Sequence, residues 1–131
     1  HNLTPIVKKK IKYLYKNDFA AFKNKKTFFA MTAHVIYKDI DPINTATHSP
    51  KIIKLIRKKI GFKNIIISDD ISMKSLKYPI KQNIQKALSA GCNLILHCNA
   101  NYSEMRTVAE NSPKVDNFII QKTSQFYKFL S

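Results

Sequence analysis

The sequence predicts an α/β fold built on a parallel sheet. Three apolar runs with the character of strands are each followed by a segment with helical periodicity. Strands that alternate with helices form parallel sheets whose connections are right-handed crossovers. With 131 residues, 44% of them hydrophobic and 11% aromatic, the chain can build the core of one structural unit.

The first predicted unit is a strand followed by a helix with well-marked ends. Residues 27–35 form an apolar, aromatic-rich run, which predicts a buried strand. Residues 50–60 place isoleucine and leucine at helical spacing. Ser49 is a good N-cap, and Pro50 suits the first turn because its missing N–H would have no partner there. Gly61 can adopt the left-handed conformation that ends a helix.

The same unit is repeated twice further along the chain. The β-branched residues 64–68 predict a second strand, and the next helix runs from Pro79 to Ala90 and stops at Gly91. Residues 93–97 predict a third strand. The remaining predicted elements are a helix near Ser103 to Glu110 and a final helix that opens at Ser112–Pro113.

The formal charge of +15 raises the question of nucleic-acid binding, because clustered lysines and arginines neutralise phosphates. Here the lysines are scattered over nearly every segment beside many asparagines and isoleucines, which is typical of a bias toward AT-rich codons. No aromatic and basic motif of an RNA-binding sheet is present. Nucleic acid is therefore not the expected partner, and a basic, non-enzymatic binding module stands as the alternative function class.

The cysteines and the apolar runs predict a cytoplasmic protein. Cys92 and Cys98 are too few for a disulfide-stapled secreted scaffold, so two free thiols in a reducing cytoplasm are expected. The apolar runs are too short to cross a bilayer, and the start of the chain lacks the apolar stretch of a signal peptide. Cys92, His97 and Cys98 do not have the spacing of a zinc site, so neither a metal nor a cofactor is expected.

Polar side chains follow two of the apolar runs. The first run ends at Met31-Thr32-Ala33-His34 and the second at Ser68-Asp69-Asp70. In α/β barrels the working residues lie at the C-terminal ends of strands, so these two segments predict an enzyme.

Each of these residues has a second interpretation. Asp69 suits a nucleophile but equally an N-cap, and Asp70 suits a turn cap or a hydrogen bond to a pocket group, so the two could exchange roles. His34 either lines the pocket, which we favour slightly, or is a core histidine bonded to the backbone. Met31 fits the core.

Several segments, taken in order, resemble the bacterial β-N-acetylglucosaminidases of glycoside hydrolase family 3. The resemblance covers most of residues 1–100 and leaves only the last helix unspecific. The segments that carry it are Ala30-Met31-Thr32-Ala33-His34-Val35-Ile36-Tyr37, Asp41-Pro42, Ala46-Thr47-His48-Ser49-Pro50, Leu55-Ile56-Arg57, Ile60-Gly61-Phe62, Ile67-Ser68-Asp69-Asp70-Ile71-Ser72-Met73 and Ala90-Gly91-Cys92-Asn93-Leu94-Ile95-Leu96-His97-Cys98-Asn99.

The resemblance implies the C-terminal portion of a TIM-type (β/α)8 barrel, about three βα units, with the N-terminal half of the barrel absent. It also implies a retaining, exo-acting enzyme that removes terminal N-acetylglucosamine from muropeptides during cell-wall recycling in the bacterial cytoplasm. Residues 1–131 are expected to form a single unit of that barrel.

The resemblance also assigns the catalytic roles. Asp69 matches the family's nucleophile, and His1 matches the histidine that acts as general acid and base on a mobile loop. His34, Met31 and Asp70 become candidate contacts to an amino-sugar glycoside. The aspartate that orients the catalytic histidine, and the family's sugar-binding groups, would come from the absent half. We therefore expect the chain alone to be inactive, with a partner-dependent half barrel as an alternative state.

Overall fold

The computed structural model describes residues 3–130, which form two parallel sheets flanked by helices. The strands are β1 (Ile6–Val7), β2 (Phe29–Met31), β3 (Ile36–Tyr37), β4 (Ile65–Asp70) and β5 (Leu94–Leu96). The α-helices are α1 (Ile11–Lys16), α2 (Pro50–Leu55), α3 (Ile80–Ala90), α4 (Tyr102–Asn111) and α5 (Asn117–Leu130). None of the helices in this described range combines the length and hydropathy needed to span a bilayer.

The main sheet has the strand order β2-β4-β5, and both pairs are parallel. Phe29 lies opposite Ile65, and Ile67 lies opposite Leu94. The predicted parallel sheet is therefore confirmed. A second parallel pair joins β1 to β3, with Ile6 opposite Ile36. The sequence did not predict this pair, because two-residue strands are too short to leave a periodic pattern.

The predicted ends of the first helix are confirmed. The Ser49 hydroxyl accepts a hydrogen bond from the Ile52 amide at 3.3 Å, and Pro50 occupies the first turn. Gly61 ends the helix with a φ of +83°. Between these ends the helix is not uniform, because α2 gives way to a π-helical turn over Ile56–Ile60.

Two predicted boundaries were wrong. The strand expected over residues 27–35 is only β2, extended by one ladder hydrogen bond from the Thr32 amide to the Ile67 carbonyl at 2.9 Å. Beyond that bond the chain leaves the sheet toward β3.

The last helix begins at Asn117 rather than at Ser112–Pro113. The Asp116 side chain caps it by accepting from the Ile119 amide at 2.8 Å. The Ser112 hydroxyl instead donates back to the Val108 carbonyl and so belongs to the end of α4.

Helices α2 and α3 cover one side of the main sheet. Ile53, Ile66, Ile84 and Ala87 meet there, and each is at most 4% exposed. Burying a side chain of the size of isoleucine stabilises a fold by about 1.5–3 kcal/mol, so this layer holds the sheet edge and its loops in place. A smaller cluster of Leu14, Phe19 and Leu55 joins the N-terminal segment to α2.

The two glycines that end helices give a matched pair of stability predictions. Gly91 has a φ of +113°, and a Cβ atom there would lie 2.9 Å from Cγ2 of the buried Ile53. Gly61 also has a positive φ, but no heavy atom lies within 4 Å of its Cβ position. We expect Gly91→Ala to lower the free energy of unfolding by about 2–3 kcal/mol and Gly61→Ala by about 1 kcal/mol. Equal losses in urea denaturation would contradict the packing argument.

Candidate active site

The structure brings the two predicted polar segments together. Because β2 and β4 are adjacent and parallel, their C-terminal ends meet at one edge of the sheet. The segments that follow touch directly, since Nε2 of His34 lies 2.8 Å from the carbonyl oxygen of Asp70. We call this the carboxylate edge, because it carries Asp69 and Asp70; it is where the working residues of an α/β barrel lie.

A β-bulge lies within this edge, next to the carboxylates. Ile67 is opposite Leu94, but Asp70 is opposite Leu96, so β4 has one more residue than β5 across this stretch. The Ser68 hydroxyl fills the interrupted ladder by accepting from the Leu96 amide at 3.0 Å. Bulges bend a strand and change the direction of its side chains, so this one sets how Asp69 is presented.

Asp69 has a carboxylate that is largely free to react. Its Oδ1 accepts a hydrogen bond from the amide of Asp70 at 2.8 Å, and within residues 3–130 this is the one hydrogen bond that its carboxylate makes. The side chain is partly exposed. One oxygen is thus held by the backbone while the other is open to a ligand.

Asp70 is used differently. Its Oδ1 accepts from the Ser72 amide at 3.0 Å, from the Ser72 hydroxyl at 2.7 Å and from the Cys98 amide at 3.2 Å. Burial acts to raise the pKa of Asp70, but these hydrogen bonds outweigh it and hold the pKa below the ordinary value. The geometry matches the turn-capping interpretation of Asp70.

His34 is placed in the interior. It is 3% exposed, and its Nδ1 lies 2.8 Å from the hydroxyl of Thr47 while Nε2 meets the Asp70 carbonyl. A ring with both nitrogens engaged and almost no exposed surface does not line a pocket. The favoured interpretation of His34 as a pocket-lining residue is therefore replaced by the alternative, a core histidine bonded to the backbone.

Met31 differs from its expected place in the core, because its side chain is 59% exposed. The reason is that β2 is an edge strand of the described sheet and has no neighbour on one side. Met31 and Phe29 line an apolar cavity of about 550 Å³, together with Phe22 and Leu55. Neither Asp69 nor Asp70 lines this cavity.

His97 pairs with a carboxylate rather than with the two cysteines. Its Nε2 lies 2.9 Å from Oε2 of Glu104 on α4, and this hydrogen bond is the main cause of a lowered pKa for Glu104. Burial raises the pKa of the Cys92 thiol to about 11, so that sulfur is a poor nucleophile and metal ligand. Within the described part of the chain, no three histidine, cysteine or acidic side chains are grouped as a metal site.

His1 lies outside the described residues. The segment that follows it contacts the loop after β4, because the Thr4 hydroxyl donates to the carbonyl oxygen of Ser75. Ser75 belongs to the loop that leaves the end of β4. The sequence did not predict this contact, since it joins residues 71 positions apart.

Comparisons with known proteins place this arrangement in a family. Residues 1–124 match the model of the glycosyl hydrolase family 3 N-terminal domain. The curated beta-hexosaminidase of Actinobacillus succinogenes is 32% identical over 105 residues, which are 76% of this chain and 30% of that protein. The chain thus spans about a third of the length of such relatives.

Solved structures of glycosidases have the same fold over this part of the chain. The beta-N-acetylglucosaminidase from Thermotoga maritima superposes with a TM-score of 0.73 at 27% identity, over 99% of this chain and 31% of that one. NagZ from Neisseria gonorrhoeae, in complex with N-trifluoroacetyl-D-glucosamine, gives a TM-score of 0.78 at 25% identity, over 93% of this chain and 37% of that one. The predicted fold class, part of a TIM-type α/β barrel, is confirmed. The chain belongs to glycoside hydrolase family 3.

Proposed function

We propose that this chain forms the C-terminal part of the catalytic barrel of a retaining, exo-acting β-N-acetylglucosaminidase. The observation that supports this most is the partly exposed Asp69 carboxylate, which stands on a bulge at the C-terminal edge of the sheet with one oxygen unbonded among the described residues. The nucleophile of a retaining glycosidase is an ionised carboxylate with an oxygen that can reach the substrate. The names of the relatives support an amino-sugar glycoside as the substrate class.

The proposed reaction is a double displacement. The Asp69 carboxylate attacks the anomeric carbon, and the bond from that carbon to the leaving oxygen breaks as His1 donates a proton to the oxygen. The product of this step is a glycosyl ester on Asp69. His1 then takes a proton from water, the water oxygen attacks the same carbon, and the ester bond to Asp69 breaks. Two inversions leave the configuration retained.

The hydrogen bonds of the two aspartates support Asp69, and not Asp70, as the nucleophile. Three donors already converge on one oxygen of Asp70, which ties that carboxylate to the turn at Ser72 and to the backbone of Cys98. Turning Asp70 toward a sugar would break all three of those hydrogen bonds. Asp69 would lose a single backbone bond, so it is the better nucleophile.

The remaining parts of the site are proposed to come from the rest of a barrel. The chain spans 31% of the Thermotoga maritima enzyme, and β2 is an unpaired edge with the apolar cavity beside it. We propose that residues 1–131 act as one unit within such a barrel. The proposed setting is muropeptide recycling in the bacterial cytoplasm, where the two unpaired cysteines would stay reduced.

The test compares the chain alone with a completed barrel. We define the barrel chimera as the Thermotoga maritima enzyme in which the superposed segment is replaced by residues 1–131 of this chain. On a chromogenic N-acetyl-β-glucosaminide we expect no measurable turnover from residues 1–131 alone, because we propose that the rest of a barrel supplies the groups that bind the sugar. We expect clear hydrolysis by the chimera.

Three results would contradict the proposal or a part of it. A folded chimera that hydrolyses no N-acetyl-β-glucosaminide, while its parent enzyme does, would remove the assigned activity. Polynucleotide binding by the chain with a steep dependence on salt would instead favour the basic binding module. Turnover by the isolated chain would contradict the claim that further barrel residues are needed.

A further inference from the structure

Three buried side chains form a continuous line of hydrogen bonds behind the carboxylate edge. The Thr32 and Thr47 hydroxyl oxygens are 2.9 Å apart, and the Thr47 hydroxyl is 2.8 Å from Nδ1 of His34. Nε2 of His34 ends the line at the Asp70 carbonyl, 2.8 Å away. Each of the three side chains is at most 5% exposed. Water therefore does not compete for these bonds.

For a neutral His34 ring, the carbonyl at the end of this line fixes the direction of every proton in it. A carbonyl oxygen can only accept, so Nε2 of His34 must hold a proton and donate it to Asp70. In the neutral ring Nδ1 then accepts, and the Thr47 hydroxyl is its donor. The oxygen of Thr47 is left to accept from Thr32. Hydrogen bonds that point the same way strengthen one another, which makes the line stiff.

The line reaches the residue that follows the proposed nucleophile. Asp70 uses its amide to hold Oδ1 of Asp69 at 2.8 Å, and the carbonyl of Asp70 is the group that His34 holds. Thr47 is also held through its backbone, since its amide donates to the Ala33 carbonyl at 3.3 Å. The backbone of the residue after the bulge is thereby tied to the end of β2 through side chains alone.

We infer that His34 is a positioning residue for Asp69: as the Nε2–H tautomer, it fixes the backbone of Asp70 and through it the carboxylate that attacks the sugar. This inference rests on the proposed function of Asp69. His34 itself touches no substrate, which agrees with its burial. Its effect is exerted through the orientation of one carboxylate oxygen, so it should act on the chemical step and not on sugar binding.

The kinetic test uses two substitutions in the barrel chimera. His34→Leu keeps a comparable volume and removes the donor, so we expect kcat to fall about 10²-fold through misplacement of Asp69. KM should stay within about twofold, because the sugar contacts are unchanged. His34→Gln supplies an amide N–H in place of Nε2–H and should restore most of the lost kcat. An unchanged kcat in His34→Leu, or equal losses in both variants, would overturn the inference.

A second measurement does not depend on activity or on a variant that folds. Long-range proton–nitrogen NMR spectra of the 131-residue chain, recorded where the His34 ring is neutral, should show a protonated Nε2 and an unprotonated Nδ1. The opposite tautomer would overturn the inference, because Nε2 could not then donate to Asp70. An inactive chimera with His34 intact would contradict the proposed function. The NMR measurement would still show, independently of activity, whether His34 has the tautomer that the hydrogen-bond line requires.

Discussion

Asp69→Asn in the barrel chimera is expected to reduce the hydrolysis of a chromogenic N-acetyl-β-glucosaminide by at least about 10³-fold. The amide is nearly isosteric with the carboxylate and can still accept from the Asp70 amide through its oxygen, so the fold should be retained. What the variant lacks is the anionic carboxylate oxygen that forms the glycosyl ester. The loss should therefore appear in kcat, with KM changed much less.

Asp70→Asn is the matched control, because it changes the adjacent residue in the same way. Asparagine keeps an oxygen that can accept from Ser72 and Cys98, so we expect kcat to fall by less than about tenfold. A loss as large as that of Asp69→Asn would leave the two assignments unresolved by kinetics alone. A slow fluorinated substrate that accumulates the ester, followed by peptide fragmentation, identifies the modified residue. An adduct on Asp70 would contradict our assignment.

The features that the sequence predicted well are those set by a few neighbouring residues. Ser49, Pro50 and Gly61 define the ends of a helix through hydrogen bonds and dihedral angles of their own segment. The order of strands and helices likewise follows from local periodicity. The parallel sheet then follows from general rules of connection, without knowledge of any particular contact.

The features that it missed depend on residues far apart in the chain. The burial of His34 depends on Thr47, 13 residues away, and on Asp70, 36 residues away, so its own motif could not separate a pocket residue from a core residue. Met31 looked like core because it ends an apolar run, yet exposure depends on whether the strand has a neighbour. Ser68, which follows three isoleucines and directly precedes Asp69, was the one local signal of the bulge.

His48 is a second buried histidine near the carboxylate edge, and hydrogen bonds do not fully compensate for its burial. It is 6% exposed, and its Nε2 has no hydrogen-bond partner among the described residues. Burial is the main cause that lowers its pKa to about 4; a positive charge on His34 would act in the same direction, as the charge of Lys86 does. Lys86 lies close by, with its Nζ 4.5 Å from the ring centre of Tyr78. The folded chain therefore keeps His48 neutral under mildly acidic conditions.

The free energy of unfolding should consequently fall as the pH is lowered from about 6.5 to about 4. In that window the unfolded chain binds a proton at His48 that the folded chain does not bind, so acid favours the unfolded state. A pKa lowered from 6.5 to about 4 corresponds to a loss of up to about 3 kcal/mol. The carboxylates of Asp41 and Asp70 also have lowered pKa values, but their contribution is lost mainly at still lower pH.

Urea denaturation of the 131-residue chain across this pH range measures the effect, and His48→Leu is the variant that isolates it. Leucine cannot take up a proton and gives up no hydrogen bond at Nε2, so the variant should lose most of the slope between about pH 4 and 6.5 while remaining folded at pH 7. An unaltered slope in the variant would assign the acid sensitivity to other groups. A flat wild-type profile would mean that His48 is protonated as readily in the folded chain as in the unfolded one.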